Sequence, residues 1–354
     1  MNKYVKRYLI DAMSGMAQGL FASLLTGTII KTIGQQLLRL NQNVFFQFFV
    51  DAGNFATEAH VVGAAMAIGI GFAMQVPALV LFSLAAIGAA ANVTGGAGGP
   101  LAVLVIAIIA AELGRLVSKK TKVDILVTPL VTILSGALLT VLTAKYIGIA
   151  ASWVGNLIMW ATNLHPFIMG MIVSAVVGIA LTLPISSAAI CAALGLTGLA
   201  GGAAVAGCCA QMVGFAVLSF KENKFGGLVS QGLGTSMLQM PNIIKNPKIW
   251  IPAILTSIIT GPIATCIFKM EMNGAAVSSG MGTCGLVGQI GVISGWYSPS
   301  EAAITNGAAA INPGVMDWGG LLLVCFVLPA VLCWLFGMLF RKIGWIKDGD
   351  LALN

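Results

Sequence analysis

His60-Val61-Val62-Gly63-Ala64-Ala65-Met66-Ala67-Ile68-Gly69-Ile70-Gly71-Phe72-Ala73-Met74-Gln75-Val76-Pro77 is an apolar run closed by a proline, and it has a near-copy further along the chain. His60, Gly63 and Pro77 are followed by Gly95, Gly96, Gly98 and Gly99, then by an apolar run ending at Lys119-Lys120. His165, Gly170 and Pro184 are followed by Gly198, Gly201 and Gly202, then by an apolar run ending at Lys221 and Lys224. The chain has 2 histidines, and each opens one of these modules. A duplicated block of hydrophobic helices is a common plan for membrane transporters, because a substrate path can form where halves meet. The competing explanation is that Gly/Ala-rich membrane helices resemble one another without common origin.

Outward from these modules, composition settles the solvent. Hydrophobic residues are 58% of 354 and charged residues 8%, with a mean hydropathy of +0.98. A soluble fold of this length carries about a quarter charged residues. Lipid must therefore solvate most of the exterior, which makes the chain an all-α polytopic integral membrane protein. The start, Met1-Asn2-Lys3-Tyr4-Val5-Lys6-Arg7, leads into a long apolar segment without an Ala-x-Ala cleavage site. The net charge of +7 does not indicate nucleic acid, because the cations fall in short clusters between apolar runs. The 7 cysteines sit in apolar surroundings without Cys-x-x-Cys or Cys/His spacing, so they read as small buried thiols. Neither a bound metal nor a cofactor is expected.

Apolar runs of about 17–25 residues mark candidate spans. They begin at Tyr8 and end at Phe340, and about ten are expected, among them the stretches 60–75, 77–91, 167–183 and 185–196. The aromatic piece Phe45-Phe46-Gln47-Phe48-Phe49 is too short to span and reads as interfacial. Of the 18 cations, all but Lys31, Arg39, Lys145 and Lys269 then lie on one side, which the positive-inside rule makes cytoplasmic, with both termini. The expected organisation is an N-terminal helix and interfacial segment (1–59), a first repeat (60–148), a second repeat (149–268) and a C-terminal region (269–354). A polar insert, 226–248, and the Gly-rich stretch 273–296 are too polar for lipid and too apolar for solvated loops. They read as re-entrant or interfacial.

Several polar residues are candidates for contact with a solute. His60 beside Glu58 can bind a hydroxyl or carry a proton; the alternative is a histidine at a helix start, where i and i+2 do not face each other. Asn92 and Thr94 precede the first glycine cluster, where freed backbone and side-chain groups can meet ligand hydroxyls, or simply form a tight turn. Gln231, Thr235, Ser236, Gln239 and Asn242 form the richest set. A helix over 232–238 puts Thr235 and Gln239 on one face, and uncharged amides and hydroxyls suit a sugar or polyol better than an ion. Gln289, Glu301, Asn306 and Asn312 form a second set, with Glu301 also placed to begin a helix. His165 before Pro166, the pair Glu112 and Arg115, and Asp124 read as structural. Trp153, Trp160, Trp296 and Trp318 suit an interfacial belt.

Four stretches, Asn92-Val93-Thr94-Gly95-Gly96-Ala97-Gly98-Gly99-Pro100, Lys122-Val123-Asp124-Ile125-Leu126-Val127-Thr128-Pro129, Gly234-Thr235-Ser236-Met237-Leu238-Gln239-Met240-Pro241-Asn242 and Gly282-Thr283-Cys284-Gly285-Leu286-Val287-Gly288-Gln289, resemble the membrane (IIC) components of the bacterial sugar phosphotransferase system. More narrowly they resemble the perfringolysin-regulator-like (PfoR-like) branch. The resemblance implies a permease in the bacterial cytoplasmic membrane, re-entrant hairpins around a small polar solute such as a carbohydrate, a homodimer and elevator-like movement. Such permeases work with a IIB domain carrying a phosphorylated Cys or His. No soluble domain stands in this chain to hold one, so IIA and IIB proteins would be separate cytoplasmic partners, and whether the chain takes part in an enzymatic phosphotransfer stays open. Two other readings remain: a membrane sensor regulating gene expression on a transporter scaffold, and an ion-coupled secondary transporter of an organic anion.

Overall fold

The computed structural model describes residue 4 and residues 6–40 and 42–353. Lys3, of the N-terminal cationic cluster, lies outside the described residues, as does the side chain of Arg39. Every regular element among the described residues is helical, apart from one antiparallel bridge between Gly198 and Met272. The chain forms two units, Met1–Ala151 and Ser152–Asn354.

The first unit begins with α1 (Ala12–Leu20) and α2 (Thr26–Leu40), joined by a π-helical turn, Phe21–Leu25. Asn43 then caps α3 (Val44–Thr57), its side chain accepting from the Phe45 N–H at 3.0 Å. Extended Glu58 breaks the chain before α4 (Ala59–Ala73), and α3 and α4 are bent by 57°. Gln75 in the left-handed region and Pro77 turn the chain into α5 (Ala78–Gly95). Gly96, at φ +52°, ends α5, and Pro100 in the first turn of α6 (Gly99–Val117) restarts the helix. α5 and α6 are antiparallel, with Gly99 against Asn92 and Gly114 against Val80. α7 (Asp124–Leu139) follows, and the boundary between the units falls inside α8 (Lys145–Thr162). Gly15 of α1 and Gly69 of α4 meet backbone to backbone, so a side chain on either would strike the other's carbonyl. Glu112 of α6 binds Arg115 at 2.8 Å and Arg7 at 3.0 Å, as a structural salt bridge should.

In the second unit, α9 (Pro166–Thr182) starts at His165, whose ring accepts from the Phe167 N–H at 3.4 Å. α10 (Ser187–Ala193) is short and capped by Ser186. α11 (Gly198–Leu218) is the buried axis of the unit, and α9, α14 (Ile251–Pro262) and α18 (Leu328–Lys342) pack around it. Close approach of α9 to α11 rests on Gly207, where a Cβ would meet the Ser174 backbone. Between α11 and α14 lie α12 (Phe220–Val229) and α13 (Met240–Lys245). After α14 come α15 (Val287–Tyr297), α16 (Glu301–Thr305) and α17 (Val315–Leu322).

Among the described residues, six helical runs are long and apolar enough to cross a membrane, seven if α3 and α4 form one bent span. One of the six, Ala78–Val117, is the α5–α6 hairpin, and the 17-residue α9 is apolar but shorter. Ile185–Leu196, expected as one of about ten spans, is not one. Its only helix is the 7-residue α10, because Pro184 precedes it and Gly195, at φ +58°, stops it. The modules therefore share an order of helix, proline break, helix, glycines and helix, but the middle helix is 18 residues in the first and 7 in the second. The aromatic piece at Phe45 is part of the 14-residue α3. Trp296 is 5% exposed and packs edge-on against Trp318, so it belongs to the core rather than to a belt. Six cysteines are buried as expected, but Cys266 is exposed, and all seven are free.

Candidate functional site

Two half-helices enter the second unit's interior. Residues 273–282 run down beside α11, turn at a tip made of Gly282, Gly285 and Leu286, and return as α15. The tip residues have φ of +54°, +51° and +59°. The Gly288 N–H donates to the Gly282 carbonyl at 2.9 Å, and at the open end Gly295 lies against Asn273 and Gly274, so this is a hairpin that enters and leaves on one side. α10 runs alongside it. Ser187 donates to the Gly280 carbonyl at 2.7 Å and Ser279 to the Leu196 carbonyl at 2.7 Å. α15 begins at the tip, so the positive end of its dipole lies inside the unit, and α10 begins where Ser187 meets Gly280.

An uncharged polar layer surrounds the tip. Thr182, at the end of α9, shares a 2.7 Å hydrogen bond with Ser236 and donates to Gln211 Oε1 at 3.2 Å. The Trp250 indole N–H donates to that same oxygen at 2.8 Å, and Gln211 Nε2 donates to Ser257 at 3.3 Å. Thr283, at the tip, donates to the Gly232 carbonyl of the polar insert. Thr182, Gln211, Ser236, Ser257 and Thr283 have no measurable exposure. Gln289, in the first turn of α15, is 5% exposed; its Nε2 touches only Cys209 Sγ at 3.2 Å, and its Oε1 has no hydrogen-bond partner. A buried acceptor left unpaired costs about 1–3 kcal/mol, and one in the first turn of a half-helix is placed to receive a ligand hydroxyl.

The expected site residues separate into groups. In the first unit, Glu58 caps α4 from outside the helix, and this lets its Oε1 reach His60 Nδ1 at 3.1 Å despite the i, i+2 spacing. Asn92 donates to the Ala59 carbonyl at 2.8 Å, so these three meet at one end of α4 and α5, with Thr94 exposed two residues on. In the second unit the helix expected over 232–238 does not form. Thr235 is extended (φ −158°, ψ 143°) and caps the turn that follows, accepting from the Met237 N–H at 3.1 Å, so it shares no helix face with Gln239. Ser236 joins the layer at the tip, whereas Gln231, Gln239 and Asn242 hydrogen-bond one another and the C-terminal tail. Glu301 opens α16 and is exposed, and Asn312 is exposed in the loop before α17. Sequence reading missed Thr182, Gln211, Trp250, Ser257 and Thr283. Gln211 carried a signal, as the one long polar side chain inside the otherwise apolar run of α11. Among the described residues no cluster of His, Cys, Asp or Glu could hold a metal ion.

A family model described as "Phosphotransferase system, EIIC" matches residues 10–353. No curated protein and no solved structure matches the chain.

Proposed function

Because the chain belongs to the phosphotransferase system EIIC family, and is thus a multi-pass membrane component of sugar uptake, we propose that it carries a carbohydrate through its second unit. The solute would bind at the hairpin tip, among Ser236, Thr283 and Gln289. The observation that carries this reading is the unpaired Gln289 Oε1, buried in the first turn of the half-helix α15. Neutral amides and hydroxyls exchange hydrogen bonds with sugar hydroxyls, while an ion would call for a compensating charge that the layer lacks.

Movement of the half-helices as one body past a fixed scaffold would deliver the solute, an elevator-like step, and a homodimer would supply that scaffold. The cation clusters at Lys119-Lys120 and Arg341-Lys342 would face the cytoplasm, where separate IIA and IIB proteins would phosphorylate the arriving sugar. The test is uptake of a panel of labelled sugars by cells with and without this chain, with intracellular products assayed for phosphate. Accumulation of a sugar phosphate is the expected result. Accumulation of free sugar would replace phosphoryl coupling by an uncoupled or ion-coupled carrier, and uptake of no sugar would overturn the reading.

A further inference from the structure

A cavity of about 230 Å³ opens at the mouth of the re-entrant hairpin, lined by Lys269, Glu271, Asn273, Trp296, Ile311 and Asp317 among others. Its walls are held from behind. Asn273 accepts from the Gly198 N–H at 3.2 Å and donates to Glu271 Oε2 at 2.8 Å. Asp317 Oδ2 accepts from the Gly314 N–H at 2.7 Å, and the Ile311 N–H donates to the Trp296 carbonyl at 2.7 Å. Trp318, edge-on at 4.9 Å, fixes the Trp296 ring. Each carboxylate keeps one oxygen free of these bonds. Lys269, held in the left-handed region at φ +46°, enters none of the ion pairs among the described residues.

We propose that this cavity is an outer docking subsite that takes the neutral form of a saccharide and rejects its phosphate ester. The proposal rests on the sugar-permease reading above and adds to it a second place of contact and a charge rule. The indole and Ile311 supply an apolar wall for the C–H face of a pyranose ring, while two carboxylate oxygens, an amide and an ammonium serve its hydroxyls as acceptors and donors. Two carboxylates against one ammonium leave the cavity net negative, and a dianionic phosphate ester placed there meets like charge. From Trp296 to Gln289 is seven residues of α15, about 10 Å along the helix, so a sugar released from the outer subsite has a short path to the tip. A phosphotransferase permease gains from such a filter, since the substrate it must admit and the product it must not carry back differ by that phosphate.

Equilibrium dialysis of the purified full chain in lipid nanodiscs tests this, with labelled neutral hexoses and the 6-phosphate of each as probes. The expected result is that at least one hexose binds and its 6-phosphate binds at least about tenfold more weakly. Glu271→Gln with Asp317→Asn keeps both wall hydrogen bonds and should narrow that ratio to within about threefold, a change a merely structural role would not produce. A 6-phosphate bound as tightly as the hexose would overturn the proposal and make Lys269 the anchor of an anion site. So would a ratio unmoved by the double variant. If hexose binding disappears in Gln289→Leu but ignores the double variant, the outer subsite is wrong while the permease reading stands. If no hexose binds the unmodified chain and none is taken up by cells, both fall together.

Discussion

Gln239 Nε2 donates to the backbone carbonyl of Leu351 at 3.0 Å, across 112 residues of chain. Leu351 is fully buried, and the contact is one of a row. Asn223 Nδ2 also donates to the Leu351 carbonyl, at 2.8 Å, and Asn242 donates to the Ala352 carbonyl at 2.9 Å. Gln239 and Asn242 are themselves joined at 2.9 Å, and Gln239 continues through Gln231 to Ser219. The polar insert is therefore a clasp: side-chain amides read the backbone of the C-terminal tail as a partner strand would. Through Ser236 and Thr182 the same insert touches the layer at the hairpin tip, so the tail and the proposed solute site share one support.

Removing a member of the clasp takes a hydrogen bond from each of its neighbours. Gln239→Ala leaves the buried Gln231 Oε1 without a partner, while the Leu351 carbonyl keeps Asn223 and Asn242 Nδ2 keeps the Ala352 carbonyl, a cost of about 1–3 kcal/mol. Asn242→Ala should cost about 1–2 kcal/mol, and the double variant less than the sum, because the two amides are bonded to each other. Unfolding midpoints of the purified chain and its variants measure this. An additive double variant would show that the amides act separately and that the clasp is not one network.

The tail is also held electrostatically. The Lys221 ammonium, bonded to Asp348 at 2.7 Å, and then Arg341 at 3.1 Å hold the Asp348 carboxyl below its ordinary value of 3.8. The folded state thus binds fewer protons here than the unfolded one. The stabilisation is complete above the unfolded value and is lost as pH falls below it through the folded value. Asp348→Asn should therefore lower the unfolding midpoint slightly at neutral pH and not at all at the acid end of that window. Because the pair is exposed, the difference should shrink in high salt. A difference that persists at low pH would assign the effect of Asp348 to packing.

Much of the helical frame was legible because proline, glycine and capping residues act locally. Pro77 and Gly96 bound α5, His165 caps α9, and Asp124 opens α7 while accepting from the Thr128 hydroxyl at 2.6 Å. The half-helix α10 was not legible as such, since hydropathy sums a segment without knowing whether its helix crosses the bilayer. Gln289 could be picked as a polar side chain in a Gly-rich segment. That Gln239 and Asn242 are spent on the tail depends on partners more than a hundred residues away, which spacing does not reveal. The cavity residues Lys269, Glu271, Asn273, Trp296 and Asp317 escaped for the same reason: only the closing of the hairpin gathers them.

Two glycines separate packing from propensity. A Cβ at Gly207 would meet the Ser174 backbone, and α9 could not keep its distance from α11. Gly207→Ala should abolish a monodisperse, folded chain in detergent. Gly226, in α12, has open space around the same position, and replacing a helical glycine with alanine gains about 0.5–1 kcal/mol. Gly226→Ala should therefore raise the unfolding midpoint. A tolerated Gly207→Ala, read by size-exclusion profile and midpoint, would refute the close contact.

Gln289 and Gln211 are both buried glutamines, but they differ in what their amides already do. Gln211 is bonded to Thr182, Trp250 and Ser257, so Gln211→Leu orphans partners and should destabilise the chain by about 2–4 kcal/mol, lowering uptake only as folded protein is lost. Gln289 has a single weak sulfur contact and an empty acceptor. Gln289→Leu removes a buried unpaired oxygen, so the unfolding midpoint should hold or rise, by the equivalent of up to about 1 kcal/mol. Uptake per folded molecule should nevertheless fall at least about tenfold, because a hydrogen bond to a solute hydroxyl inside a dry site is lost. Stability kept with transport lost marks a residue whose partner is absent from the resting protein. The opposite pair of results, a lower midpoint with uptake intact, would make Gln289 a packing residue and withdraw the support for a solute site at the hairpin tip.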